Sequence, residues 1–332
     1  MRQKLELSIA LHDNARTLPI IEGRVEAEGI NLVPTVIHGS EIFWRQLKYG
    51  DFDISDMSMS SLLIATSQGD DRWVAIPAFA MRSFFHTGIM VRTDRGIEAP
   101  ADLKGKRIGV PEYQQTSALW SRGILQHEFG VTPRDIEWFM ERTPEISHGG
   151  ATGFEPPEGV KINQIPGSTN IGEMLAKGEL DGTLLYLRSP NLVDRSRIDL
   201  STLGTVKRLF KDPDAEKRRY YVKTGIFPIN HTLVVRRSLL ERYPWIALNI
   251  YSAFVAAKAE AATTAQGVLT PYLETGVIGA QVKKQLSEDP MSYGMKAARP
   301  VLEAITQYSY EQGLTKRHVK LEEIFAPSTL EI

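Results

Sequence analysis

The 332-residue chain contains no cysteine. Disulfides, thiolate metal sites and a cysteine nucleophile are therefore excluded. No segment has the roughly 18 uninterrupted apolar residues of a membrane-spanning helix. The formal net charge is only -1, and the lysines and arginines are scattered rather than clustered. This charge distribution argues against nucleic acid and acidic membrane surfaces as partners.

Several catalytic and cofactor signatures are also missing. There is no GxGxxG after a strand, no GxxxxGK[ST] and no GxSxG, so neither a bound nucleotide nor a serine hydrolase is indicated. No HxH or HExxH spacing points to a metal, and His12-Asp13 with the distant His231 is the one metal-binding alternative. The polar, alternating start over Leu5–Leu11 does not resemble a signal peptide, which favours a cytoplasmic protein.

Strands and helices alternate along the chain, and the pattern restarts at Lys106. Because the length exceeds one ordinary core, two lobes are expected. We predict an α/β fold in which each lobe is a mostly parallel sheet flanked by helices, with a ligand cleft between the lobes. The first lobe is expected at 1–88 plus 235–332, with C-terminal helices, and the second at 89–234. Among the elements, a helix is predicted at Pro19–Glu28 and a strand at Leu180–Tyr186.

Ligands of open α/β sheets bind beyond the C-terminal ends of the strands. The loops in those places are His12–Arg16, His38–Ser40, Asp56–Ser60, Met81–His86, Pro111–Thr116, Tyr186–Pro190 and Gly225–His231.

The most informative of these loops is Pro111–Thr116, which joins a short strand to a helix. Because the first turn of a helix has unpaired N–H groups and a partial positive charge, the loop predicts a site for a carboxylate or phosphate. Asp56–Ser61 is a second anion-binding candidate. The alternative for both loops is an ordinary capped helix start.

Side chains in the loops suggest further chemistry. His12, His86 and His231 are candidate general acids if they share one cleft. Arg16 and Arg82 can fork onto a carboxylate, or form ordinary surface ion pairs. We expect the four other histidines to be surface or packing residues: His38, His127, His148 and His318.

Two stretches, Asp102–Val110 and Met174–Gly182, resemble type II periplasmic-binding-protein folds. Three longer and more specific stretches resemble the 4,5-dihydroxyphthalate decarboxylase family: Gly50–Ser61, Val110–Thr116 and Thr224–His231. The resemblance extends over about residues 5–325.

The resemblance implies conversion of 4,5-dihydroxyphthalate to protocatechuate and CO2, with no organic cofactor, and the residue spacings give no reason to expect a metal site. A small aromatic dicarboxylate is the expected partner, and a homo-oligomer is left open. Catalytic roles are expected for His231, His86, His12 and Asp13. Substrate binding is expected from Arg16, Ser58, Ser60, Arg82, Tyr113, Gln114, Gln115, Thr116 and Tyr186. The alternatives are a solute-binding protein without catalysis and a cytoplasmic ligand-sensing module.

Overall fold

The computed structural model describes residues 4–286 and 288–332. Its strands are β1 (Leu5–Leu11), β2 (Ile30–Val36), β3 (Ile54–Ser58), β4 (Trp73–Ile76), β5 (Met90–Arg92), β6 (Arg107–Val110), β7 (Glu137–Met140), β8 (Ile162–Gln164), β9 (Gly182–Thr183), β10 (Val206–Arg208) and β11 (His231–Arg236). Its helices are α1 (Leu18–Ile21), α2 (Gly39–Tyr49), α3 (Met59–Ser67), α4 (Thr116–Phe129), α5 (His148–Thr152), α6 (Ile171–Lys177), α7 (Pro213–Thr224), α8 (Arg237–Arg242), α9 (Ile246–Glu274), α10 (Ala280–Leu286), α11 (Met295–Glu311) and α12 (Leu321–Ile324).

The strands form two mixed sheets. The first has the order β2-β1-β3-β11-β4, and only β11 runs against the other strands. The second has the order β10-β5-β9-β6-β7-β8, and only β5 runs against its neighbours. Helices flank both sheets, so the predicted α/β architecture with two mostly parallel sheets is confirmed.

The chain passes between the sheets twice, after β4 and again after β10. The two crossing segments touch at an antiparallel bridge between Arg82 and Ile229. Strand β11, which begins at His231, pairs within the first sheet along its whole length. The predicted division of the chain into two lobes, 1–88 plus 235–332 and 89–234, stays a prediction.

Two predicted elements are much shorter than expected. The helix predicted at Pro19–Glu28 is confined to α1, because Gly23 and Gly29 adopt positive φ angles of 71° and 73° and turn the chain. The strand predicted at Leu180–Tyr186 is only β9. The residues that follow β9 leave the ladder and reach the space between the sheets.

Three helices follow strands of the two sheets, either directly or after a short loop. These are α2, α3 and α4, which have 11, 9 and 14 residues. Left-handed Gly50 and Gly130 end α2 and α4. The N-terminal ends of the three helices, with their positive dipole ends, therefore converge on the space between the sheets.

Within the described residues, no helix has the length and apolar character needed to cross a membrane.

Candidate functional site

A cavity of about 120 Å³ lies between the two sheets. Its lining comprises His12, Asn14, His38, Gly39, Ser40, Phe43, Asp56, Ser58, Met81, Phe85, Gln115, Thr116, Ser117, His148, Leu185, Leu187, Asn230 and His231. Each of the seven loops selected from the sequence contributes at least one of these residues. The rule that ligands bind beyond the C-terminal ends of strands therefore predicted the position of the cavity from the sequence alone.

Hydroxyl groups from the two sheets meet at one wall of the cavity. Ser58 Oγ lies 2.8 Å from Thr116 Oγ1, and Thr116 Oγ1 also accepts a hydrogen bond from the Ser60 N–H at 3.0 Å. Ser58 precedes α3, and Thr116 is the first residue of α4. Two helix N-termini and their hydroxyls thus form an anion-binding wall, which is a suitable place for a carboxylate.

Four imidazoles line the same cavity: His12, His38, His148 and His231. The rings of His12 and His38 meet edge to face at 5.9 Å. His38 Nδ1 accepts a hydrogen bond from the Ser40 N–H, and His148 Nε2 lies 3.0 Å from the Ser40 carbonyl oxygen. Burial lowers the pKa of His38 and of His148, so both imidazoles favour the neutral form.

The pKa of His231 is also lowered. Burial, reinforced by the nearby His12, His148 and His38, lowers it to about 3. Its Nε2 lies 2.7 Å from the Asn230 amide nitrogen, whereas its buried Nδ1 has no partner among the described residues. His231 is therefore neutral at neutral pH, and because its Nε2 accepts the amide N–H, its Nδ1 carries the hydrogen.

Asp56 is the only carboxyl group in the described lining of the cavity. It is 3% exposed, and Asp56 Oδ2 accepts a long hydrogen bond of 3.4 Å from the His12 N–H. Burial raises its pKa to about 7, and the His12 N–H opposes that rise only in part. The cavity therefore has a carboxyl group that carries a proton over a large part of the neutral range.

A buried ionic cluster lies beside the cavity. The Arg142 guanidinium donates to Asp194 Oδ1 at 2.7 Å, to Glu112 Oε2 at 2.9 Å and to Ser40 Oγ at 2.7 Å. Arg142 is fully buried, and its Nη1 also lies 3.2 Å from His148 Nε2. Since Ser40 follows a strand of the first sheet and the other partners belong to the second, Arg142 joins the two sides of the cavity.

Five of the predicted site residues line the cavity: His12, Ser58, Gln115, Thr116 and His231. Ser60 and Gln114 lie directly behind them. Ser60 Oγ donates to the Gln114 carbonyl oxygen at 2.6 Å, and Gln114 Nε2 donates to Glu112 at 2.9 Å. These two residues hold the anion-binding wall in place rather than form its surface.

Other predicted residues lie outside the lining because their polar groups are engaged elsewhere. His86 Nε2 lies 3.1 Å from the Glu216 carboxylate. The Arg82 guanidinium donates to the carbonyl oxygens of Phe227 and Ser292, and burial lowers its pKa to about 10. Arg82 thereby braces the crossing segments instead of facing a ligand.

The remaining four predictions also fall outside the lining. Arg16 Nε donates to the Ala80 carbonyl oxygen, and the Tyr186 hydroxyl donates to that of Ile198. Tyr113 is buried beneath the Arg122 guanidinium, which lies 3.7 Å from its ring centre. Asp13 is 70% exposed and lies 4.0 Å from His12 Nδ1.

Sequence reasoning missed two histidines and the buried carboxyl group. His38 and His148 were expected to be surface or packing residues, yet both line the cavity. His38 stood in a selected strand-end loop, a signal that could have identified it, whereas His148 lay in none of the selected loops. Asp56 was in the anion-binding candidate Asp56–Ser61, but only the hydroxyls of that loop were considered.

In the part of the chain that the structure describes, no group of three or more His, Asp or Glu residues is arranged to hold a metal ion.

The fold is similar to those of solved binding proteins and of an enzyme. The alkanesulfonate-binding protein SsuA from Xanthomonas axonopodis pv. citri bound to MOPS matches with a TM-score of 0.55 and 15% identity, over 98% of this chain and 99% of that one. The desulfurization enzyme DSZB matches with a TM-score of 0.54 and 17% identity, over 99% and 98% of the two chains. A family model described as "ABC transporter, phosphonate, periplasmic substrate-binding protein" matches residues 25–151. The chain thus has the periplasmic-binding-protein-like fold, which both binding proteins and enzymes use.

Sequence comparison gives the family. The chain is 36% identical to 4,5-dihydroxyphthalate decarboxylase from Comamonas testosteroni, over 99% of this chain and 98% of that protein. It is 35% identical to 4,5-dihydroxyphthalate decarboxylase from Pseudomonas putida, over 66% of this chain and 82% of that protein. The match to the Comamonas protein spans both sheets and every loop around the cavity, and the chain belongs to the 4,5-dihydroxyphthalate decarboxylase family.

Proposed function

We propose that this protein is a carboxy-lyase that converts 4,5-dihydroxyphthalate to protocatechuate and CO2 in the cavity between its two sheets. The observation that carries the proposal is the composition of the cavity in a chain of this family. An anion-binding wall at Ser58 and Thr116 faces imidazoles and one buried carboxyl group. This combination suits a substrate that must be held by a carboxylate while protons move on its ring.

The chemistry of the substrate explains what the cavity must supply. Each carboxylate of 4,5-dihydroxyphthalate is para to a hydroxyl. Loss of the proton of that hydroxyl moves electron density to the ring carbon that bears the carboxylate. This carbon then takes a proton, the bond to the carboxylate breaks, and CO2 leaves as the ring regains aromaticity. The protein therefore needs an acceptor near the phenol, a donor near the ring carbon and little water.

Neutral imidazoles are the groups suited to accept the phenol proton. We assign the acceptor role to His12, whose imidazole lines the cavity. Because its pKa is lowered to about 3, His231 is a poor base, and its Nδ1–H is suited to donate a hydrogen bond instead. Asp13 supports His12 only weakly, because a highly exposed carboxylate interacts through solvent.

The anion-binding wall holds the carboxylate that stays on the ring. Hydroxyls and helix N-termini bind an anion in a fixed position, and a fixed position is what selective loss of one of two equivalent carboxylates requires. Apolar Leu185 and Leu187, together with Phe43 and Phe85, supply the flat walls and limit the access of water.

A second candidate function is binding without turnover, as in the solute-binding proteins that share this fold. The family model for a phosphonate-binding protein over residues 25–151 is the observation that favours it. We further propose that the two sheets mark two lobes that close over the substrate, and that the protein is cytoplasmic. Cell fractionation tests the location, and gel filtration tests whether the protein is a homo-oligomer.

Purified protein incubated with 4,5-dihydroxyphthalate separates the two functions. The carboxy-lyase predicts release of CO2 and appearance of protocatechuate by liquid chromatography. Saturable binding of the unchanged substrate would favour the solute-binding alternative. The same assay with a chelator tests the expectation that no metal assists, since loss of activity would contradict it.

A further inference from the structure

We infer that Asp56 is the proton donor to the ring carbon that loses its carboxylate. The inference rests on the proposed function, and it adds a catalytic residue that the sequence did not suggest. Asp56 lies in the cavity, has no cationic partner among the described residues and accepts only the long hydrogen bond from the His12 N–H. A carboxyl group in this setting is free to face a ligand.

The strand geometry places Asp56 beside the anion-binding wall. Asp56 and Ser58 are two residues apart on β3, so their side chains lie on the same face, separated by about 7 Å along the strand. His231 of β11 is directly opposite Ser58, and Leu233 is opposite Asp56. The Asp56 carboxyl group, the Ser58 hydroxyl and the His231 imidazole therefore lie on one face of one sheet.

The spacing fits an aromatic ring with neighbouring carboxylates. A carboxylate bonded to Ser58 and a ring carbon in contact with Asp56 each need about 3 Å from their protein atoms. The separation of about 7 Å between the two positions is also about the size of a benzene ring with one carboxylate, so one substrate molecule can contact both side chains.

Charge also favours Asp56 over the imidazoles as donor. Burial removes the proton from a buried imidazole, but keeps the proton on a buried carboxyl group. The negative charge of the substrate carboxylates raises the pKa of Asp56 further and so strengthens its preference for the protonated form. The titratable groups that line the cavity with Asp56 are the imidazoles of His12, His38, His148 and His231, and the Tyr293 hydroxyl interacts with Asp56 electrostatically.

The proton step balances with one proton taken from water in each turnover. The phenol proton passes to an imidazole, and the ring carbon takes the Asp56 proton to become tetrahedral. The bond between that carbon and the carboxylate then breaks, its electron pair returns to the ring, and CO2 leaves. Asp56 is left as a carboxylate and regains its proton from the imidazolium or from water, and the phenolate is protonated in turn.

The test measures hydrogen–deuterium exchange at the product ring as well as turnover of the substrate. Because the donor must also act in reverse, the wild-type protein in D2O should exchange the protocatechuate hydrogen at the carbon that lost CO2, as seen by proton NMR. Asp56→Asn should lower both exchange and CO2 release at least a hundredfold, in the range of a lost general acid, while binding protocatechuate as tightly as wild type.

Two further variants serve as controls for the Asp56→Asn experiment. Asp53→Asn removes a carboxylate that precedes the same strand and accepts hydrogen bonds from Ser8 outside the cavity, and it should keep wild-type exchange. Asp56→Glu keeps an acid and should retain measurable exchange. If Asp56→Asn exchanges and decarboxylates within threefold of wild type, the inference is wrong. If wild type itself binds without turnover or exchange, the proposed function fails instead.

Discussion

Replacing Asp56 with asparagine is expected to change how the stability of the protein depends on pH. Burial raises the pKa of this carboxyl group from its ordinary value of 3.8 to about 7. A raised pKa in the folded state means that its contribution to stability is complete below pH 3.8, declines as the pH rises to about 7, and is constant above. The asparagine variant lacks this titration.

The size of the effect follows from the shift. Each pH unit between the two pKa values changes the free energy of unfolding by about 1.4 kcal/mol. Two such units lie between pH 5 and the folded pKa of about 7. The free energy of unfolding of the wild type, measured relative to Asp56→Asn, should therefore fall by about 3 kcal/mol from pH 5 to pH 8.

Urea unfolding of both proteins at several pH values measures this difference, and Asp53→Asn controls for the general loss of a negative charge from the sheet. An amide and an acid form different hydrogen bonds, but this difference contributes equally at both pH values. It therefore cancels when the change from pH 5 to pH 8 is compared between wild type and variant. A difference that stays constant within about 0.5 kcal/mol from pH 5 to pH 8 would refute the reasoning. Asp56 would then be ionised in the folded protein and unsuited to donate a proton at neutral pH.

Three further perturbations address other parts of the site. His231→Gln should resist acid better than wild type. Because the pKa of His231 is lowered in the folded protein, the free energy of unfolding of the wild type should fall by about 3 kcal/mol relative to the variant between pH 6.5 and pH 4. Parallel acid-unfolding curves of the two proteins by circular dichroism would contradict this. Thr116→Val removes the hydroxyl shared with the other sheet and should raise KM about tenfold in initial-rate assays, whereas an unchanged KM would exclude the anion-binding role. Ser40→Ala leaves an Arg142 N–H unpaired and should lower kcat/KM about tenfold. Ser196→Ala, which removes a buried 2.7 Å hydrogen bond to Glu141, should affect thermal unfolding alone. Equal kinetics of the two variants would contradict a role of Arg142 in positioning the cavity residues.

The fold and the location of the cavity were predictable because they depend on local patterns. The alternation of short strands with helices fixed the α/β class, and the strand-end rule selected all seven loops that line the cavity. The boundaries were less predictable. Gly23 and Gly29 limit α1, and β11 returns to the first sheet at His231, because its pairing with β3 and β4 depends on residues far apart in the chain.

The side chains of the site were predictable only in part, because a loop does not reveal which way each side chain points. Arg82 and His86 were chosen for their chemistry, but the Phe227 carbonyl and the Glu216 carboxylate occupy their polar atoms. Asp56 was overlooked for the opposite reason. Its raised pKa comes from complete burial, a property of the packed sheets rather than of any residue beside it in the sequence.

Substrate labelled with ¹³C in both carboxylates tests the central claim most directly. With purified protein, NMR should show one labelled CO2 released for each molecule of 4,5-dihydroxyphthalate consumed, and protocatechuate that keeps the other label. Labelled substrate that is bound but recovered unchanged would contradict the assignment of this cavity as the site of a decarboxylase.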